Sequence, residues 1–211
     1  MIITSLDRQL RRRHRVNLFV DGRFVFPLAH SLAQEKGLHA GMNIGAAELE
    51  ALRAEDERRT AYDAAINLLS YRPRTEKEIR QRLRRRKITP EVIDGTVDRL
   101  RASHYLDDAA FAQFWRESRD TLSPRSGRLI RSELLFKGVD VDTATATVEG
   151  LDDEDAAYRA AAKRLKSLQG DEYELFRRRL GGFLTRRGFS YDVVRRVLDR
   201  CWRELGCDEP A

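Results

Sequence analysis

Cysteine, histidine and proline are all scarce in this 211-residue chain, at two, four and five copies. Cys201 and Cys207 lie near its end with no partner spacing, which excludes a disulfide scaffold, and no histidine approaches them at metal-ligand spacing. Cys201 reads as a helix-face residue and Cys207 as part of a polar tail. No apolar run nears the ~20 residues needed to cross a bilayer, and the start has no signal-peptide apolar core, so a cytoplasmic protein is expected. His14, His30, His39 and His104 are scattered, with no serine or cysteine nucleophile beside them. Gly181-Gly182 has no Lys-Ser/Thr sequel and so makes no phosphate cradle; inside a helix it suits close packing instead. No enzyme activity, cofactor or metal is expected.

Charge, by contrast, is abundant. Charged residues make up 35% of the chain and hydrophobic ones 41%, with a formal net charge of +6 and a pI near 9.6. Such a chain buries a core beneath a strongly polar surface, and its basic balance favours a polyanionic partner.

The first residues have a β pattern. "RVNLFVDGRFVFP" (15–27) alternates apolar and polar positions around Asp21-Gly22, a dipeptide suited to a two-residue hairpin turn, so Val16, Leu18 and Val20 face one way. "IITSL" supplies a third strand, and "LAHSLAQEKGL" a short covering helix with Gly37 at its C-terminal cap. The intervening "DRQLRRRHR" concentrates Arg8, Arg11, Arg12, Arg13 and Arg15 in one loop.

From Ala46 onward the pattern is helical. Thr75 with Glu78 forms a capping-box pattern, Thr89-Pro90 a second helix start, Ser123-Pro124 or Ser126 a third, and Asp140, Asp171 and Ser190 further caps. Asp107-Asp108 and Asp152-Asp153 each precede a helix and read as caps rather than as catalytic carboxylates. The grammar repeats. Ile79, Leu83, Ile88 and Val97 map by 51 residues onto Ile130, Leu134, Val139 and Val148. Leu134, Val139, Val148 and Leu151 map by 50 onto Leu184, Phe189, Leu198 and Cys201. The turns agree too: Lys137-Gly138-Val139 matches Arg187-Gly188-Phe189, whereas Arg86-Lys87-Ile88 has lysine in place of glycine and predicts a strained or altered turn.

The expected fold is therefore mainly α, a tandem array of three three-helix units forming an elongated curved molecule behind a small β-hairpin module. Boundaries fall at 1–55, 56–106, 107–151 and 152–206, with 207–211 as a tail. The second unit's core is expected from Phe111, Phe114, Trp115, Leu129, Leu134 and Val148, and both tryptophans, Trp115 and Trp202, are expected to pack rather than stack on bases. Capped at both ends, the array is expected to be a monomer.

Between Arg72 and Lys87 nine cationic residues meet two glutamates, a local surplus of +7 that exceeds that of the whole chain. On a helix Arg82, Arg85 and Arg86 project while Ile79 and Leu83 face inward. The candidate contact residues are Arg11, Arg12, Arg13, Arg72, Arg74, Arg82, Arg85, Arg86, Lys87, Arg128, Arg131, Lys137, Arg177, Arg178, Arg186 and Arg187. A repeated basic helix on a curved array suits a helical polyanion.

"LLSYRPRTEKEIRQRL", "LDDAAFAQFW", "ELLFKGV" and "RRGFSYDVV", in that order, resemble the RecX family of bacterial recombination regulators over nearly the whole chain. The resemblance implies a non-enzymatic modulator, mostly an inhibitor, of the RecA recombinase in recombination, DNA repair and the SOS response. It implies binding to the RecA filament on single-stranded DNA, within the filament groove, and suppression of ATP hydrolysis, strand exchange and co-protease action. Direct contact with single-stranded and double-stranded DNA is also implied. The alternative is a freestanding DNA-binding protein built of helix-turn-helix-like units.

Overall fold

The computed structural model describes residues 1–11 and 14–205. The chain opens with strands β1 (Ile3–Arg8), β2 (Arg15–Val20) and β3 (Arg23–Ala29), an antiparallel sheet in that order. Asp21 and Gly22 take φ of 48° and 75°, the double left-handed geometry of the tight hairpin turn. Val16, Leu18 and Val20 all point into the core, joined by Leu28 from β3 and Leu32 from the short helix α1 (His30–Glu35). Gly37, at φ 61°, ends that helix while the Leu38 N–H bonds the Ala33 carbonyl.

Helix α2 (Ala46–Leu69) runs unbroken across the boundary expected at residue 55. Propensity explains its continuity, and packing explains its length, because each half serves a different core. Leu52 joins the sheet cluster, whereas Ala64 and Ala65 meet Ile79 and Leu83 of α3 (Glu76–Arg85) and Ile93, Val97 and Leu100 of α4 (Pro90–Ala102). Asp56, on the same helix, is 6% exposed; its carboxylate accepts from the Ala29 N–H at 2.7 Å and from Arg15 at 2.7 Å.

Two further helix triplets follow: α5 (Asp108–Leu122), α6 (Gly127–Lys137) and α7 (Val141–Val148), then α8 (Asp153–Leu165), α9 (Tyr173–Arg186) and α10 (Tyr191–Glu204). Asp107, Ser126, Asp140, Asp152 and Ser190 accept hydrogen bonds from the first-turn N–H groups of their helices. Each such cap satisfies a first-turn N–H that has no acceptor within its own helix. Asp171 does not cap; α9 starts after Glu172, and the Asp171 carboxylate pairs with Arg179 at 2.7 Å instead.

The second triplet buries Phe111, Ala112, Ile130, Leu134, Val139 and Ala144. Phe114 is not part of that core but 36% exposed, tilted against Phe111 at the margin. Trp115 is half-buried and stacked on Phe111, and Trp202 is buried against Phe176. Gly181 packs on α10, where an added methyl would meet Leu198 at 3.5 Å.

The chain divides into two compact units, Met1–Arg72 with Ile79–Leu106, and Pro73–Glu78 with Asp107–Ala211. The short segment leading into α3 therefore belongs to the second unit, where it has a structural task.

Candidate interaction surface

The second unit builds one joint twice. At the first, the Thr75 hydroxyl donates to the Lys137 carbonyl at 2.7 Å, and the Glu76 N–H donates to Asp108 at 3.2 Å. At the second, the Ser126 N–H donates to the Arg187 carbonyl at 3.0 Å, and the Gly127 N–H donates to Asp153 at 2.8 Å. In both, a helix start receives a carboxylate and a basic-glycine turn. Orphan N–H groups at a helix start need such acceptors, and the positive end of the helix dipole favours a carboxylate. The first member of each Asp-Asp pair caps its own helix, and the second reaches this other helix start, a role the sequence analysis missed.

The joint also places two candidate residues. The Lys137 ammonium bonds Glu78 at 2.7 Å and lies 4.2 Å from the centre of the Trp115 ring. The Arg187 guanidinium donates to Ser123 Oγ and the Pro124 carbonyl, both at 2.9 Å. Arg128 reaches the Gly188 carbonyl at 3.3 Å, and Arg131 bonds Thr145. These four cations are engaged within the unit.

The first unit is different. Arg82, Arg84, Arg85, Arg86 and Lys87 are all exposed, and none has an ion-pair partner among the described residues. They occupy the last turn of α3 and the turn beyond it. Lys87 adopts φ 62°, so the chain makes the same left-handed turn as at Gly138 (97°) and Gly188 (88°). The strain expected at Lys87 resides in that φ; the turn itself keeps its shape. Glycine is dictated at the other two turns by crowding as well, since a Cβ on Gly138 would stand 2.7 Å from Lys77 and one on Gly188 2.7 Å from Leu129. Lys87 is exposed, so a long cation is accommodated there.

Of the other candidates, Arg11, Arg178 and Arg186 are exposed, and Arg177 lies 3.8 Å from Glu174 on a half-exposed face. Arg72 and Arg74 are partly covered. Arg12 and Arg13 lie outside the described residues. Arg8, the last residue of β1, bonds His30, and Arg15, the first of β2, is anchored on Asp56 and Thr60. Arg15 thus belongs to the core, not to a free basic loop.

A second cationic group, not evident from the sequence, lies in the second unit. Glu133 accepts from the Trp115 indole N–H at 2.7 Å, from Arg119 at 2.8 Å and from Arg125. Burial holds the Arg119 guanidinium below its ordinary pKa; burial, then Arg119 and Arg187, do the same to Arg125. Burial, then Arg164, lowers Arg187. Guanidinium groups stay charged through such shifts, so the repulsion persists at neutral pH.

Among the described residues no three His, Cys, Asp or Glu side chains gather as metal ligands, and no helix is long and apolar enough to cross a membrane. Cys201 is buried in the third triplet, where desolvation, ahead of the Glu204 charge, raises its thiol to about 11 and leaves it protonated.

A β-hairpin module followed by three helix triplets, with an exposed basic turn after α3, is a tandem three-helix repeat protein. Three family models match within it: the Regulatory protein RecX N-terminal domain over residues 1–45, the first RecX three-helix domain over 61–100 and the third over 152–198. The chain belongs to the RecX family. It is 27% identical to Regulatory protein RecX of Bacillus cytotoxicus, covering 96% of this chain and 78% of that one. Identity to the Regulatory protein RecX of Clostridium botulinum strain Alaska E43 is 28%, over 93% and 94% of the two chains. Among solved structures, RecX from Lactobacillus salivarius aligns with a TM-score of 0.57 and 26% identity over 72% of this chain and 98% of that one. A regulatory protein RecX crystal structure aligns with a TM-score of 0.61 over 94% and 98%; at 23% identity that likeness concerns the fold.

Proposed function

We propose that this chain is a non-enzymatic regulator, mostly an inhibitor, of the RecA recombinase. It binds the recombinase filament on single-stranded DNA and lowers ATP hydrolysis, strand exchange and co-protease action in recombination, repair and the SOS response. It works as a cytoplasmic monomer. Membership of the RecX family supports the recombinase as partner, and the observation that carries the reading on this chain's own surface is the unpaired cluster Arg82, Arg84, Arg85, Arg86 and Lys87. Exposed cations without an ion-pair partner among the described residues are available to acidic protein surfaces or phosphates.

A freestanding DNA-binding protein is the second reading, supported by the same cluster. Against it stands α4, the second helix of the would-be helix-turn-helix. Its exposed Glu91, Asp94 and Asp98 would face phosphates with like charge if that helix entered a groove.

The deciding measurement is ATP hydrolysis by cognate RecA on single-stranded DNA with this protein at substoichiometric ratios and free DNA in excess. Inhibition that survives the excess supports filament regulation. Inhibition relieved in proportion to added DNA, or none at all, favours the second reading.

A further inference from the structure

In each of the first two triplets an arginine ties the second helix to the third. Arg80 of α3 bonds Asp94 of α4, and 51 residues on, Arg131 of α6 bonds Thr145 of α7 at 2.9 Å. Both positions recur 50 residues further along in the third triplet, as Gly181 of α9 and Arg195 of α10. The bridging side chain is gone there, and Arg195 is exposed, its side chain without a hydrogen-bond or ion-pair partner among the described residues.

Where the bridge is missing, the surface opens. A cavity of about 370 Å³ and another of about 740 Å³ adjoin between α9 and α10, sharing Arg177, Tyr191, Val194 and Leu198. From Tyr191 to Trp202 the groove follows α10 for roughly 16 Å, three turns of a helix. Gly181 and Gly182 line its α9 side, although glycine weakens a helix interior. A Cβ on Gly182 would meet the flexible end of the Arg186 side chain at 3.4 Å, so internal packing does not require glycine there. We propose that this groove seats an amphipathic helix of a protein partner, with apolar side chains on Val194 and Leu198 and a carboxylate on Arg195.

Both walls of the groove are helices, whose backbone groups are bonded within themselves. An occupant therefore finds no strand edge to pair with and must satisfy its own N–H and C=O groups, as a helix does. Its apolar side chains meet the floor and the exposed Leu175 and Tyr191 beside it. Arg177 stands 3.8 Å from Glu174, whereas Arg178 and Arg195 have no ion-pair partner among the described residues and call for a carboxylate from outside. Glu172 and Asp199 line the same groove and repel a phosphate backbone, which favours a protein over a nucleic acid as occupant. The proposal rests on the recombinase as the partner and gives it a seat of apolar character, separate in sequence from the basic turn after α3.

The test is fluorescence anisotropy of the labelled full chain titrated with cognate RecA filaments assembled on single-stranded DNA. Gly181→Arg combined with Arg195→Thr reproduces the bridging pair of the second triplet, fills the groove and leaves the net charge unchanged, while urea unfolding checks that the fold persists. Affinity of this double variant should fall about tenfold or more, the loss expected of a central anchor. Arg195→Glu, at an exposed position, should weaken binding several-fold more than Arg53→Glu, an equal change of charge at an exposed position of α2. A photo-crosslinking residue in place of the exposed Tyr191 should join the chain to a recombinase helix that has a carboxylate within one turn. A folded double variant of wild-type affinity, an Arg195→Glu variant that binds as well as Arg53→Glu, or a cross-link to DNA or to a non-helical segment overturns the groove alone. No binding by the wild-type chain overturns the groove together with the regulator reading.

Discussion

Gly188 faces Ser126 so closely that a Cβ on the glycine would stand 2.5 Å from the serine hydroxyl oxygen. The contact locks the turn after α9 onto the start of α6, where the Ser126 N–H bonds the Arg187 carbonyl. Gly188→Ala combines a left-handed backbone with this overlap, and we expect a loss of about 2–4 kcal/mol. Gly181→Ala, in the middle of α9 with 3.5 Å of room, should gain about 0.5–1 kcal/mol. Urea unfolding of the two variants should move the midpoint in opposite directions; movement the same way would refute the account of the joint.

Lys87 supplies the converse case. It holds φ 62° with an exposed side chain. Lys87→Gly should therefore stabilise the chain by about 1 kcal/mol, since glycine enters this region without the Cβ penalty. A destabilised variant in the same unfolding experiment would mean that the lysine side chain makes contacts the geometry does not show.

Much of this architecture was legible in the chain. The hairpin followed from Asp21-Gly22 and the alternation around it, and the triplets from offsets of 50 and 51 carried through helix, turn and helix. What escaped was tertiary. Asp108 and Asp153 looked like second caps because their reach to Glu76 and Gly127 spans 32 and 26 residues. Arg119, Arg125 and Arg164 were passed over because they stand far apart in the chain, and only folding brings Arg119 and Arg125 together on Glu133 and Arg164 with Arg187 onto the Phe183 ring. Lys137 and Arg187 read as free cations for the same reason: local sequence shows charge but not the partner that occupies it.

Asp56 ties α2 to β3. Asp56→Ala would leave the Ala29 N–H without its acceptor and Arg15, whose side chain is 14% exposed, without its counter-charge. A loss of about 3–5 kcal/mol is expected, the usual cost of orphaning one member of a buried pair. Replacing both residues with apolar ones should restore a good part of it. If the single variant unfolds with the wild-type midpoint, the pair contributes no anchorage.

Asp140 gives a pH dependence of defined sign. The bond from the Thr143 backbone N–H, ahead of that from its hydroxyl, holds the Asp140 carboxyl below the ordinary aspartate value. A depressed pKa in the folded state means that the cap contributes fully above the unfolded value of about 3.9 and fades as pH falls through the folded one. The difference in stability between the wild type and Asp140→Ala should therefore be constant near neutrality and shrink in acid. A difference that persists at the lowest pH where the protein still folds would assign the effect to helix propensity instead.

Neutralising Arg82, Arg85 and Arg86 together separates function from folding. These residues lie at the end of α3, where positive charge complements the helix dipole by a few tenths of a kcal/mol each, yet they also repel one another and have no ion-pair partner among the described residues. The two effects oppose, so the triple glutamine variant should unfold within about 0.5 kcal/mol of the wild type per site. Potency in the RecA ATP-hydrolysis assay should fall at least several-fold at physiological salt, and the loss should narrow as salt rises, because exposed charges separated by more than ~8 Å are screened there. Full potency with unchanged salt dependence would remove this helix end from the interface and leave the cations of the second unit as the surface to test.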